Sequence, residues 1–245
     1  MILFLSFFTG AMIYASVGFG GASLYLTLLS FGSSNHDSLA ITAMVCNIVA
    51  VLSSHWTYLK AGYLRWKSAW PLIVSSVPAA FAGGIFKTGP SLFALLLGLS
   101  LVSAGILMLL KFHRENEAMP LEISWQFGGF AGAGIGLLSG VVGIGGGIFL
   151  APLLSFKRIG KAKEIAALCA LFILVNSFAG ILARLLRLGT FPVDGRFEWL
   201  WLAVLLGALS GGWIGAKKLP DAWIRRIIAV IIICGGSNQL IKVLC

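Results

Sequence analysis

Seven glycines in two short stretches are the residues of this chain best suited to chemistry without a charged side chain. Gly143, Gly145, Gly146 and Gly147 lie in VVGIGGGIFLAPLL, residues 141–154, in the middle of an apolar run. Gly18, Gly20 and Gly21, followed by Ala22, lie in SVGFGGASLYLTLLSF, residues 16–31. A glycine inside a helix costs about 1 kcal/mol relative to alanine. It also opens backbone that apolar surroundings cannot solvate. Where one helix breaks, the next begins with N–H groups that have no intrahelical acceptor. That end carries about half a unit of positive charge. N–H groups so placed cradle oxyanions, and glycine supplies both positive φ and room for close approach. The chemistry on offer is anion binding by the main chain.

Few side chains could join it. Asn47 and Asn176 each sit near the middle of an apolar segment, and two readings fit them. They bridge helices or satisfy a loop carbonyl, or they line the site with the glycines. His55 and Arg184 each follow those asparagines by eight residues. An arginine inside a membrane is costly and faces a cavity or an interface. Arg184 therefore guards the mouth of a path or snorkels to the outer headgroups. His55 either anchors its helix at the interface or couples a proton. The eight carboxylates (Asp37, Glu115, Glu117, Glu122, Glu164, Asp194, Glu198 and Asp221) all fall in loops or at segment ends. Cation transport or a carboxylate proton relay would place them within the spans, so an anionic substrate is favoured. There is no P-loop, no Ser-His-Asp set and no metal-ligand cluster, and His36, His55 and His113 are far apart in sequence. The sequence predicts no enzyme, no cofactor and no metal. Cys46, Cys169, Cys234 and Cys245 form no CxxC pair and read as free thiols in apolar runs.

These residues need elements to carry them. The chain is 59% hydrophobic and only 11% charged over 245 residues, against about 25% charged in a soluble domain. Apolar segments run approximately 1–31, 38–59, 69–86, 90–110, 124–156, 164–188, 197–216 and 222–244. This is the pattern of a polytopic membrane protein in a lipid bilayer. The start reads as a membrane segment and not as a removable signal peptide. The net charge of +10 sits mostly in loops, which is a topology signal and not a nucleic-acid footprint. Trp56, Tyr58, Tyr63, Trp66, Trp199 and Trp201 read as interfacial belt residues. Gly128, Gly129, Gly132, Gly134 and Gly136 read as a smooth helix-packing face.

The polar linker 111–123 divides two related halves, 1–110 and 124–245. Residues 16–31 align without gaps on 141–156, Asn47 matches Asn176, and Gly83-Gly84 matches Gly211-Gly212. Segments 1–31 and 124–156 are too long for one crossing. A helix of about 31 residues would reach roughly 46 Å against a hydrocarbon core of about 30 Å. Each is predicted to be a re-entrant hairpin with the glycines at its tip, Pro152 keeping the second arm bent or short. If both segments enter and leave on one side, thirteen of the 18 Lys and Arg residues collect on one face. The other face keeps Lys87, Arg184, Arg187, Arg196 and Lys242. The positive-inside rule favours this arrangement. It puts the linker in the cytoplasm and both termini outside. The expected fold is thus an all-α polytopic membrane protein of two inverted repeats, each a glycine-broken hairpin plus three transmembrane helices.

VGIGGGIFLAPLL, its weaker copy VGFGGASLYLTLL, the length and the midpoint linker resemble the TauE/SafE sulfite exporter family of bacterial membrane permeases. The first copy departs from the pattern at Ala22 and Thr27. The resemblance implies a permease in the cytoplasmic (inner) membrane that moves sulfur-containing anions such as sulfite, sulfonates or sulfoacetate, commonly outward. It implies a substrate site at Gly143, Gly145, Gly146 and Gly147, with Gly18, Gly20 and Gly21 opposite. A passive anion channel and a non-transporting scaffold are the alternatives. The same reading accommodates import, proton coupling and a homo-oligomer.

Overall fold

A computed structural model describes residues 2–30, 36–86, 120–189 and 199–244, with Gly98, Val102 and Ile106 between them. Most of segment 90–110 and residues 111–119 of the linker lie outside the described residues. The described elements are nine α-helices. They are α1 (Ile2–Ala15), α2 (Ala22–Ser30), α3 (His36–Lys60), α4 (Trp66–Ile85), α5 (Trp125–Val142), α6 (Gly147–Phe156), α7 (Ala162–Leu188), α8 (Trp199–Lys217) and α9 (Asp221–Leu244). Among the described residues, five helices are long and apolar enough to cross a membrane: Ala40–Lys60 of α3, and α4, α5, α7 and α8. Two apolar helices are shorter, α1 and α6.

Small residues set how these helices meet. A Cβ at Gly128, Gly132, Gly136 and Gly140 would strike Pro71, Leu72, Ser76 and Ala80 in turn. So α4 and α5 lie parallel at backbone contact, as small-residue faces permit. Gly129 and Gly134 point into open space. The packing face is therefore the four-residue row 128, 132, 136 and 140, with a single side of the helix against α4. In the same way Gly207, Gly211 and Gly215 of α8 meet the carbonyl oxygens of Phe8, Met12 and Ser16, so α1 and α8 are parallel. Gly84 of α4 meets Ala183 of α7, and Arg65 Nε pairs with Glu164 Oε1 at 3.0 Å near their starts. That makes α4 and α7 parallel. The turn 61–65, with Gly62 at φ +76°, reverses the chain between α3 and α4.

The packing pairs come in matching sets. Helices α1 and α8 pair as α5 and α4 do, and α3 meets α8 as α7 meets α4. Helices α3 and α7 also pack on each other, and α2 on α3 matches α6 on α7. The matches reach single residues. Gly83 meets Leu137, and Gly211 meets Met12, which holds the same place in its glycine stretch. Gly84 meets Ala183, and Gly212 meets Ser54, each seven residues after its asparagine. The buried interior includes most of α3 and one face of α7, while Trp70, Val74 and Phe130, and Phe178, Leu182 and Leu186 on the other face of α7, point outward. Such a spread of exposed apolar surface suits hydrocarbon and not water.

Tyr58 is not an interfacial belt residue. It is fully buried, and its hydroxyl donates to Ser16 O at 2.8 Å. The carbonyls at the end of a broken helix need donors, and Tyr58 supplies one to α1. Trp56, Trp66 and Trp199 are exposed, as a belt requires.

Candidate functional site

Each glycine stretch is two helix ends joined back to back. In the first, Gly18 has φ +78°, its N–H bonds Ala15 O, and Phe19 N–H bonds Tyr14 O at 2.9 Å. This is a Schellman termination with glycine in the left-handed position. In the second, Gly143 has φ +79° and its N–H bonds Ser139 O at 2.8 Å, the simpler left-handed cap. Gly21 and Gly146, immediately before α2 and α6, again have φ +86° and +81°. So in both stretches the first glycine stops one helix, and the glycine just before the next helix re-aims the chain into it. Gly145 has φ +81° as well, whereas Gly20 does not take a left-handed φ. Gly20 is needed for space, because a Cβ there would land on Asn47 Oδ1.

Contacts link the two arms of each stretch. Phe7 of α1 stacks on Tyr25 of α2 with ring centroids 4.9 Å apart, and Tyr14 OH lies 3.2 Å from Ser23 Oγ. Lys157 Nζ, just past α6, sits 5.0 Å from the centroid of Phe127 near the start of α5. Helix α6 is ten residues long and contains Pro152, which cannot donate to Ile148 O.

Asn47 ties the two stretches together. Its Oδ1 accepts from Ala22 N–H, the first residue of α2, at 3.3 Å. Its Nδ2 donates to Ile144 O at 3.3 Å and to Ser177 Oγ at 3.1 Å. All of this is buried, so each bond also avoids the cost of an unpaired polar group. A small cavity lies against this tie. Its wall is Tyr14, Phe19, Gly20, Gly21, Ala22, Ser23 and Asn47 from the first half, with Ile144, Ile148 and Ile173 from the second. No charged side chain lines it. Its polar groups are the Tyr14 and Ser23 hydroxyls, the Asn47 amide and the backbone at the start of α2.

The other residues singled out from the sequence are not on the cavity wall. Gly18 packs on Ala166 of α7. A Cβ on Gly145 would lie 2.7 Å from Asn47 Nδ2, one on Gly146 would crowd Phe172, and one on Gly147 would strike Ile173. Asn176 is buried, and neither its Oδ1 nor its Nδ2 has a hydrogen-bond partner. Arg184 does not stand in solvent. It is buried, with Nη2 donating to Val141 O at 3.0 Å and Nη1 to Gly180 O at 3.2 Å. A guanidinium there complements the negative end of α5. Val141 holds the place in its stretch that Ser16 holds in the other, so Arg184 and Tyr58 cap matching carbonyls. His55 is half-buried, with Nδ1 unpartnered. Tyr14, Ser23 and Ser177 were not singled out from the sequence. Ser177 adjoins Asn176, but an isolated serine in an apolar run carries no signal of its partner.

A family model described as "Sulfite exporter TauE/SafE" matches residues 2–238. A curated relative, "Probable membrane transporter protein y4hK" of Sinorhizobium fredii (strain NBRC 101917 / NGR234), is 30% identical over 241 residues, 97% of each chain. No solved structure matches. With apolar helices fit to cross a membrane and a match over nearly its whole length, the chain belongs to the TauE/SafE family and is a multi-pass membrane transporter, not an enzyme.

Proposed function

We propose that the protein is a secondary permease that exports small sulfur-containing anions, such as sulfite, sulfonates or sulfoacetate, across the bacterial cytoplasmic membrane. The substrate is held by backbone amides of the two glycine loops and by the starts of α2 and α6. The observation that carries this reading is the Asn47 tie, which brings residues 20–22 and 144–145 together beside a cavity free of charged side chains. A helix start beside such a cavity favours an anion.

The chain is two inverted repeats, 1–110 and 124–245, each a re-entrant hairpin followed by three crossings. Helices α4, α5 and α7 run one way and α1 and α8 belong to the matching set, which supports the inversion. Lys157 beside Phe127 supports a return of 124–156 to the face it entered. The 111–123 linker is cytoplasmic and both termini are outside. Transport follows from rocking one half against the other about the central site.

The test is sulfite flux in proteoliposomes. Gly145→Val puts a branched side chain at φ +81° against Asn47. Its flux is expected to vanish while the protein still inserts, and normal flux overturns the site. Saturable counterflow by the natural chain is expected, and its absence favours a passive channel.

A further inference from the structure

Four buried polar atoms around the second glycine stretch have no hydrogen-bond partner: Ser76 Oγ, Ser139 Oγ, Asn176 Oδ1 and Asn176 Nδ2. None of these three residues is more than 2% exposed. Native interiors leave few such groups, and each asks for a cause such as a bound ligand or water. Their positions converge. Ser139 borders the loop, since a Cβ on Gly146 would lie 3.1 Å from Ser139 Cβ. Asn176 lies on the α7 face of Gly180 and Ala183, the residues that meet Gly84 of α4. Ser76 lies about two turns before Gly84 on α4 and packs on Gly136, three residues before Ser139. The three residues therefore lie within about one helical turn of one another, where α4, α5 and α7 meet beside the start of α6.

Beside the first glycine stretch the Tyr25 hydroxyl is also buried without a partner, but the matching positions carry other groups. Tyr14 stands where the second half has Ser139, and its hydroxyl is matched with Ser23. Val204 of α8, beside the first glycine stretch, holds the place that Ser76 of α4 holds beside the second. Asn47 has both its amide atoms bonded. Two small hydroxyls and an unused amide distinguish the surroundings of the second glycine stretch.

We propose that Ser76, Ser139 and Asn176, with the N-terminus of α6, form a binding site for a sulfur oxyanion headgroup. This rests on the anion reading above and deepens it. Ser76 of the first half and Ser139 and Asn176 of the second hold the headgroup, while Asn47 holds the loops in place. Two hydroxyls and Asn176 Nδ2 donate to the anionic oxygens alongside the first N–H groups of α6, leaving Oδ1 for a water. The sign follows from the surroundings. The start of α6 is the positive end of a helix, Arg184 lies against Gly143, and no Asp or Glu is among the buried described residues.

The experiment is calorimetric titration and thermal unfolding of the full chain in detergent with sodium sulfite and methanesulfonate. Sodium chloride at equal ionic strength is the control. The natural chain is expected to bind sulfite. The double variant S76A/S139A is expected to bind at least tenfold more weakly, with an unchanged or higher melting temperature in the absence of ligand, because no hydrogen bond is lost. Equal affinity in the double variant overturns this site and leaves the anion reading standing. A lower ligand-free melting temperature at equal affinity does the same, by making the hydroxyls structural. Sulfite and methanesulfonate without effect on the natural chain overturn both the site and the anion reading, and stabilisation by sodium alone overturns the assigned charge.

Discussion

Asn47 and Asn176 hold matching places in the chain yet stand in different states. Asn47 spends its amide on Ala22, Ile144 and Ser177. Asn176 has no partner for either atom. Removing Asn47 leaves a buried N–H, carbonyl and hydroxyl to find new partners. Asn47→Ala is expected to cost about 2–4 kcal/mol, since each orphaned group costs about 1–3 kcal/mol. Asn176→Leu removes no bond, and its cost is expected to stay within about 1 kcal/mol. Denaturant unfolding in detergent compares the two. Gly20→Ala drives a Cβ onto Asn47 Oδ1, so it breaks the same tie by another route. A double-mutant cycle of Gly20→Ala with Asn47→Ala is expected to be strongly sub-additive. Additive losses would mean that Gly20 serves something other than Asn47.

At the scale of elements, glycine does two separate jobs. In the loops it ends and restarts helices, with Gly18 and Gly143 in left-handed caps and Gly21 and Gly146 before α2 and α6. Along α5 and α8 it lets backbones touch. The second job gives a sharp contrast on one helix. Gly136 faces Ser76 across a contact with no room for a Cβ, while Gly134 faces open space. Gly136→Leu is expected to force α4 and α5 apart at a cost of about 3 kcal/mol or more, by overpacking. Gly134→Leu is expected to be neutral or to stabilise by up to about 1 kcal/mol through helix propensity. Thermal unfolding of both variants in one detergent checks the pair. The loop glycines were legible because four in five residues exceed what packing needs. Which helical glycines pack was less so, since spacing alone does not say which side of α5 meets a neighbour.

For the whole molecule, the proposed topology makes a prediction about sides. Gly62 and Gly160 lie in loops assigned to the linker's face, and Gly189 in a loop assigned to the other. Single cysteines at these three positions, in a background without the native cysteines, are expected to label in two groups. Positions 62 and 160 should react from the cytoplasmic side and position 189 from outside. Labelling of 62 and 160 from opposite sides would overturn the re-entrant arrangement. The sequence by itself determined the membrane class and the helix breaks, and it supplied the ungapped match of residues 16–31 on 141–156. Those depend on composition, backbone propensity and order along the chain, all of which are local. It also marked Asn47 and Asn176, because an amide in an apolar segment demands an account. Only the tertiary structure decided that Asn47 is tied while Asn176 is unpartnered, that Tyr58 caps α1, and that Arg184 caps α5. Each of these turns on a partner far away in sequence, brought close by helices whose glycines allow backbone contact, and no local pattern encodes such a pairing.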